Sequence, residues 1–246
     1  MRGWLLAAGT CSYAAALVAM APATLADAAL QDASGMRLRL AEARGTLWSG
    51  SGQIEIRDAD GRKGLAKRVT WRLKPGSLLF ARLAYEVELD PGPRSFPVTI
   101  SWSRIELADA DISLPAAALG LGVPRLAPLE LTGEMRLKAA SLSIERGAAR
   151  GIATLQWHAA GSALAPVSPL GDYELRLAGD GAAIRATLHT LQGPLQIEGQ
   201  GSWANGRAPL FLAIAQIAPQ SRQQLAPFLR MMAVERGDGS FELQLK

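Results

Sequence analysis

Strict alternation of apolar and polar residues in short runs is the feature that most constrains the fold of this chain. Residues 36–40 read Met-Arg-Leu-Arg-Leu, residues 53–57 read Gln-Ile-Glu-Ile-Arg, and residues 69–73 read Val-Thr-Trp-Arg-Leu before a Pro-Gly pair. Successive side chains of a β-strand point to opposite faces, so each run places apolar residues on one face and polar residues on the other. The pattern predicts antiparallel strands with one face in water.

The same pattern continues to the end of the chain. Further strand-like runs lie at 83–89, 97–107, 131–137, 141–145, 152–158, 173–177, 183–189, 195–198, 209–214 and 241–245. The 25 glycines and 14 prolines supply the many turns that such a series of strands requires. We therefore predict a mainly β fold, a curved antiparallel sheet, with a closed sandwich as the alternative.

Helical patterns are few and short. Residues 115–121 are rich in alanine and fit one or two turns. Ser221 is a suitable N-cap for a helix over 222–232, although Pro227 would distort or divide it. Apolar residues recur there at helical spacing, at Leu225, Phe228, Leu229 and Met232. We interpret this stripe as packing on the sheet; filling the groove of a partner protein is the alternative.

Two stretches of the chain resemble each other, roughly 45–90 and 126–178. In the first, Trp71 is followed by a strand that begins at Tyr85, and in the second Trp157 is followed by a strand that begins at Tyr173. Each stretch would give a strand, a Trp-bearing strand and a Tyr-led strand. The repeat predicts a sheet of two related meanders with one continuous core, unless the likeness is a coincidence among similar strands.

The N-terminal segment is uncharged from residue 4 to residue 26, with Arg2 before it and Asp27 after it. At about 1.5 Å per helical residue it is long enough to span a bilayer core, and the charges predict a cytoplasmic N-terminus. We predict a transmembrane anchor over 1–26 that contacts the membrane through 4–26, and an exported β-rich domain over 27–246. The alternative is a signal peptide cleaved after Thr24-Leu25-Ala26.

The composition argues against most catalytic and ligand-binding classes. The net charge is +4 without a run of Lys or Arg, so no nucleic-acid partner is expected. One cysteine excludes an internal disulfide, and two histidines, His158 and His189, leave little material for a metal site or a catalytic triad. The pair Asp109 and Asp111 lacks the further oxygen ligands of a calcium loop. We predict no catalytic, cofactor-binding or metal-binding residue, no cofactor and no small-molecule ligand.

The sequence Gly-Thr-Leu-Trp-Ser-Gly at 45–50 indicates a special turn rather than a site. It lacks the lysine of a phosphate loop, and its serine is not in a nucleophile elbow. We expect Gly45 and Gly50 to hold strained backbone and Trp48 to pack against the sheet, or else to anchor an interface. The other tryptophans after residue 27 fall in or beside strand-like runs, where packing is the interpretation and sugar stacking the alternative.

Four motifs in a fixed order resemble the type II secretion system protein N (GspN) family. They are GTLWSG at 45–50, TWRLKP at 70–75, LGDY at 170–173 and GPLQIEG at 193–199. The resemblance extends over the whole chain and implies a bitopic inner-membrane protein with a periplasmic β-rich domain. It also implies an accessory role in moving folded proteins across the outer membrane, without enzymatic activity or cofactor.

These observations predict a non-catalytic component of the type II secretion system that acts through contacts with other components. The alternative function comes from another class. A curved sheet with an apolar face can hold lipid or a hydrophobic cargo, as in the AsmA-like envelope proteins that the repeat also resembles. A third possibility, a carbohydrate-active enzyme, needs two facing carboxylates in a cleft.

Overall fold

The computed structural model describes residues 2–57, 64–90, 94–122, 124–146, 148–204, 210–231 and 233–245. Its α-helices in these ranges are α1 (Arg2–Ala19), α2 (Thr24–Ser34), α3 (Ala117–Gly122) and α4 (Arg222–Arg230). Short 3-10 helices cover Pro75–Phe80, Pro124–Leu129 and Pro219–Ser221. The strands are β1 (Leu38–Gly45), β2 (Ser49–Arg57), β3 (Gly64–Leu73), β4 (Leu83–Asp90), β5 (Phe96–Ile100), β6 (Arg104–Pro115), β7 (Leu131–Glu145), β8 (Ala148–Ser162), β9 (Gly171–Asp180), β10 (Ala183–Gln192), β11 (Leu195–Ala204), β12 (Leu210–Ile217), β13 (Val234–Glu235) and β14 (Phe241–Leu245).

All the strands form one antiparallel sheet. Each strand pairs with its neighbour in sequence from β1 to β12, and the order ends β12-β14-β13. The edge strands β1 and β13 do not pair with each other, so the sheet is open. The sheet is strongly curved, because the amine of Lys67 on β3 reaches the carbonyl oxygen of Ser113 on β6, three strands away. The prediction of a mainly β, curved antiparallel sheet is confirmed.

The apolar face of the sheet is built from cross-strand rows. One row crosses five strands through paired residues, Ile112, Leu137, Leu155, Leu175 and Leu188. The alternation in the sequence creates this row, because the side-chain period of two keeps each leucine on the same face. The row crosses strands of the second of the two resembling stretches, and the sequential pairing from β1 to β12 joins both stretches in one meander.

Two clusters of buried residues form the core. The first, around Phe96, Ala110, Ala139 and Ala153, draws its members from β4 to β9. The second lies where α4 covers the sheet, and its members include Leu225, Phe228, Leu229, Leu195 and Phe241. The helical stripe predicted over 222–232 therefore packs on the sheet. The helix continues through Pro227 to Arg230, and Met232 lies outside the described residues.

Several element boundaries differ from the prediction. The run 97–107 divides into β5 and β6, because Ser101 to Arg104 form a turn in which the Ser101 N–H donates to the Arg104 carbonyl. The runs 131–137 and 141–145 join into β7, which accommodates a bulge between Ala139 and Ser141. Helix α2 and the short strand β13 were not predicted. The predicted helix at 115–121 is found as α3.

The N-terminal segment contains a break that the sequence prediction did not include. Helix α1 ends at Ala19, and α2 begins at Thr24 after Pro22. No helix in the described residues combines the length and apolarity needed to cross a bilayer. The structure thus does not support the predicted transmembrane helix over 4–26.

The alternating hairpins give the sheet two distinct ends. We call the end that carries the turns β1–β2, β3–β4, β5–β6, β7–β8 and β9–β10 the proximal end, because α1 meets the sheet there. The distal end carries the β6–β7 connection with α3, the loop 163–170 and helix α4. The core cluster that includes α4 and Leu170 of the loop 163–170 lies toward the distal end.

Candidate functional site

The turn between β1 and β2 joins the sheet to the N-terminal segment. The Thr46 N–H donates to the Ser49 carbonyl at 2.9 Å, and Gly45 has a φ of 91°, a conformation that favours glycine. Gly50 is required for a different reason than predicted. A Cβ at this position would lie 2.5 Å from the Trp71 ring, so it is space and not backbone strain that excludes a side chain here.

Residues 18–23 are held against this turn by main-chain and indole hydrogen bonds. The Leu47 N–H donates to the Ala21 carbonyl at 2.8 Å, and the Ala23 N–H donates to the Gly45 carbonyl at 3.2 Å. The Trp48 indole N–H donates to the Val18 carbonyl at 2.8 Å. Trp48 is thus half-buried and contacts the end of α1, whereas the sequence predicted that it would pack on the sheet. Ala23 is buried at this junction.

The two resembling stretches share one specific contact. The Trp71 indole N–H donates to the Thr46 carbonyl at 3.1 Å, and the Trp157 indole N–H donates to the Thr132 carbonyl at 2.9 Å. The separation along the chain is 25 residues in both cases. This shared contact supports the repeat inferred from the sequence and gives both tryptophans a structural role.

The two histidines each face one carboxylate. His158 Nδ1 lies 3.6 Å from Asp172 Oδ2, and His189 Nε2 lies 3.7 Å from Glu174 Oε1. Asp172 also accepts hydrogen bonds from the Ala159 N–H and from Gln192, and these bonds hold the pKa of its carboxyl below the usual value. No group of three or more possible metal ligands occurs among the described residues.

The acidic pair near β6 does not form a joint site. Asp111 accepts two hydrogen bonds from the Arg136 guanidinium, at 2.7 and 2.6 Å, and this contact lowers the pKa of its carboxyl. Asp109 is exposed and has a φ of 48°, at a position of β6 that has no paired residue in β7. Asp111 therefore belongs to an ion pair, whereas Asp109 lies at an irregular, exposed position of the strand.

A cavity of about 910 Å³ lies under α3 at the distal end. Its walls come from the start of β3, the α3 region and the start of β7, and its lining is mainly apolar, with Leu65, Leu121, Leu126 and Leu131. Glu130 is the one acidic residue among the described lining residues. The cavity thus does not present the two facing carboxylates that glycoside hydrolysis needs.

A second exposed feature lies on the polar face near the C-terminus. Leu210, Leu212 and Ile214 follow each other at every second position of β12, and they share a face with Ser202, Gln200 and Glu198 on β11. Leu210 is 60% exposed and Leu212 is 39% exposed. We call these three residues the β12 stripe. The sequence analysis did not single it out, because apolar residues occupy both faces of this strand.

Comparison with protein-family models decides the family of the chain. Residues 36–244 match the model described as type II secretion system (T2SS), protein N. The chain belongs to the type II secretion system protein N family. The match covers β1 to β13, all but the last residue of β14, and the four motifs on which the resemblance is based, so the family prediction is confirmed.

Membership of the protein N family makes the chain a type II secretion system component. Comparisons with curated proteins and with solved structures return no significant match.

Proposed function

We propose that this protein is a non-catalytic component of the type II secretion system that acts in the periplasm through contacts with other components. The family match over 36–244 carries the proposal. The arrangement of ionisable groups supports it, because Asp111, His158 and His189 each engage in a simple pair.

The β12 stripe is the surface that we propose for these contacts. Its three apolar side chains lie on the mainly polar face and are flanked by polar residues of β11. Exposed apolar residues within a polar rim are typical of protein interfaces. The stripe lies on the face of β12 opposite to the buried Ala213 and Ala215, so its side chains are not part of the core.

Site-specific photocrosslinking in a secreting strain tests this surface. A photoreactive residue at Leu212 should cross-link to another secretion component. Thr187 is the matched control, because it is exposed and lies in the same cross-strand row, opposite Gln200. Equal yields at both positions, or none at Leu212, would remove the β12 stripe from the proposal.

A secretion assay tests the wider function. Deletion of the gene should reduce export of folded substrates across the outer membrane, and the wild-type gene should restore it. His158→Ala and His189→Ala should restore export as well as the wild type does. Failure of a stably folded histidine variant would argue for a catalytic or metal-dependent role.

We further propose that the uncharged N-terminal segment holds the chain at the inner membrane, with 27–246 in the periplasm. Arg2 before the segment and Asp27 after it support this orientation. Alkaline phosphatase fused to the C-terminus should be active, and the same fusion to a chain lacking residues 2–26 should be inactive. An inactive full-length fusion would reverse the orientation.

Lipid binding is a second candidate function, favoured by the apolar cavity under α3. Native mass spectrometry of the full chain should then show a retained lipid. Ala118→Phe should fill the cavity and abolish retention, whereas Ala66→Phe, on the exposed face of β3 beside Leu65, should not. A lipid-free wild-type chain would leave the protein-contact function as the sole proposal.

A further inference from the structure

The proximal end of the sheet exposes large apolar side chains that have no place in either core cluster. The Pro75–Phe80 helix projects from the β3–β4 connection with Leu79 87% exposed and Phe80 76% exposed. Trp102, at the tip of the β5–β6 turn, is fully exposed. Such large side chains are costly to expose to water, and their clustering indicates a surface that is covered in use.

These side chains lie together and not at scattered positions. Phe80 and Trp102 line the same depression, because Leu83 at the start of β4 pairs with Ile100 at the end of β5. Ile105 and Ile144 pair across β6 and β7 next to it and are 43% and 40% exposed. The apolar face thus reaches water at the proximal end, where no described helix covers it.

The N-terminal helix enters the same end of the sheet. The carbonyls of Val18 and Ala21 accept hydrogen bonds from the β1–β2 turn. The same turn is bonded to β3, because the Leu73 N–H donates to the Trp48 carbonyl at 2.6 Å. Leu73 directly precedes the Lys74–Phe80 connection. The apolar segment 4–26 and the exposed apolar tips are therefore neighbours over consecutive turns.

The charges at this end favour an anionic surface. The acidic groups here are engaged: Lys74 lies 3.3 Å from Glu86, and Arg104 lies 2.9 Å from Glu145 and 3.3 Å from Glu106. Arg82 lies two residues after Phe80, and Arg146 lies in the β7–β8 turn; both are exposed. Neither arginine has an ion pair with a carboxylate of the described residues. Free guanidinium groups beside exposed aromatic residues are typical of contact with lipid headgroups.

We propose that the proximal end of the sheet rests on the surface of a phospholipid bilayer, with Leu79, Phe80 and Trp102 inserted at the interface and Arg82 and Arg146 at the headgroup phosphates. Tryptophan favours the interface between hydrocarbon and water, where its ring is desolvated and its indole N–H stays hydrated, and Leu79 and Phe80 add apolar area to be buried there. The sheet would then stand upright on the membrane, with the distal end and α4 pointing away from it. The proposal does not depend on any secretion partner.

Depth measurement on the full chain in a bilayer tests this orientation. Cys11 is replaced by alanine, and a single cysteine is placed at Leu79 or at Leu164 and labelled with an environment-sensitive fluorophore. Leu164 is the matched control, since it is an exposed leucine in the distal loop 163–170. Each protein is reconstituted into nanodiscs of phosphatidylethanolamine and phosphatidylglycerol, and only the lipid-bound fraction is measured.

The label at position 79 should shift to the blue on reconstitution, should be quenched by nitroxide on the lipid acyl chains, and should be shielded from aqueous iodide. The label at position 164 should keep its emission wavelength, should not be quenched by the nitroxide on the acyl chains, and should be quenched by aqueous iodide. A second pair of labels, at Trp102 and at Ala127, repeats the comparison with independent substitutions. Iodide quenching at position 79 equal to that at position 164 would overturn the proposal, as would a chain that does not bind the nanodiscs. Neither result would bear on the secretion assay, which tests the proposed function separately.

Discussion

Two tryptophans make the same hydrogen bond in the two halves of the chain, and each can be tested by removing one donor. Trp71→Phe and Trp157→Phe keep an aromatic ring but leave the Thr46 and Thr132 carbonyls without the indole N–H. Each change should lower the free energy of unfolding by about 1 kcal/mol, measured by urea denaturation. The control is Trp203→Phe, because Trp203 contacts Phe211 by ring stacking. An effect confined to the control would contradict the role of the indole hydrogen bonds.

The Asp111–Arg136 pair predicts a specific pH dependence of stability. The pKa of Asp111 in the folded chain lies below its ordinary value of 3.8, first because of the hydrogen bonds from Arg136. The ionised carboxylate therefore stabilises the fold fully above the unfolded pKa, and this contribution is lost as the pH falls through the lower, folded pKa. Asp111→Asn should reduce the urea midpoint at neutral pH, and the difference from wild type should shrink below about pH 4.

The control for this experiment is Asp109→Asn, at an exposed neighbouring position of β6 where asparagine tolerates the positive φ. Its midpoint should follow the wild type across the pH range. A difference for Asp111→Asn that stays constant between neutral and acidic pH would show that the ion pair is not its cause.

At the scale of elements, α2 closes one edge of the open sheet. The outward N–H groups of Leu38 and Leu40 on β1 donate to Ser34 Oγ at 2.9 Å and to Asp27 Oδ1 at 2.8 Å. An exposed edge strand is a template for pairing with another chain, so these side chains protect the protein from association. The burial of this edge by α2 could not be read from the sequence, because residues 24–26 continue the apolar segment.

The double change Asp27→Ala with Ser34→Ala should free the β1 edge. We expect concentration-dependent association in analytical ultracentrifugation, with the monomer restored at high dilution. Asp32→Ala is the control, since Asp32 is exposed on the same helix. A double variant that sediments like the control would mean that α2 covers the edge without these two side chains.

Helix α4 contributes to the core through a narrow stripe. Leu225 is fully buried, in contact with a cluster that includes Phe241 and Ala215. Leu225→Ala should lower the free energy of unfolding by about 2–5 kcal/mol, because it leaves a cavity that the sheet cannot fill. Gln223→Ala, on the exposed face, should have little effect. Equal urea midpoints for the two variants would contradict the assignment of α4 to the core.

The strands could be predicted because alternation is a local property, but turns without Gly or Pro could not. The apolar positions shift by one residue at Ser103-Arg104, but no Gly or Pro marks a turn there, so β5 and β6 read as one strand. The contact of α4 with the sheet could also be predicted, since its stripe has helical spacing. The proximal surface could not, because the proximity of Phe80 and Trp102 depends on the register of β4 and β5.

The sequence predictions about possible sites concern single residues, and the structure shows which other residue each of them contacts. Trp48 was assigned to the sheet because tryptophan favours β-strands, but its indole N–H reaches the end of α1, 30 residues earlier. A contact over this distance leaves no periodic pattern in the sequence. The histidine contacts with Asp172 and Glu174 likewise follow from the pairing of β9 with β8 and β10 and not from spacing.

For the whole molecule, sequential pairing in an open sheet makes stability uneven along the chain. One described cluster of buried residues draws on β4 to β9, and the other on β11, β12, β14 and α4, whereas β1 to β3 contribute to neither. Besides their pairing in the sheet, these first strands are held by hydrogen bonds to α2, in the β1–β2 turn and from Lys67 to β6. Local opening of a region costs less where fewer apolar contacts are lost.

Amide hydrogen exchange of the full chain should therefore show a gradient across the sheet. We expect the free energy of opening to be at least about 1.4 kcal/mol lower for β2 and β3 than for β11 and β12. This difference corresponds to about tenfold faster exchange in β2 and β3. Leu225→Ala should reduce protection in β11 and β12 and leave β2 and β3 unchanged, because α4 covers only the distal, C-terminal part of the sheet. Uniform protection from β2 to β12, with a uniform loss in the variant, would instead mean that the curved sheet opens as a single cooperative unit.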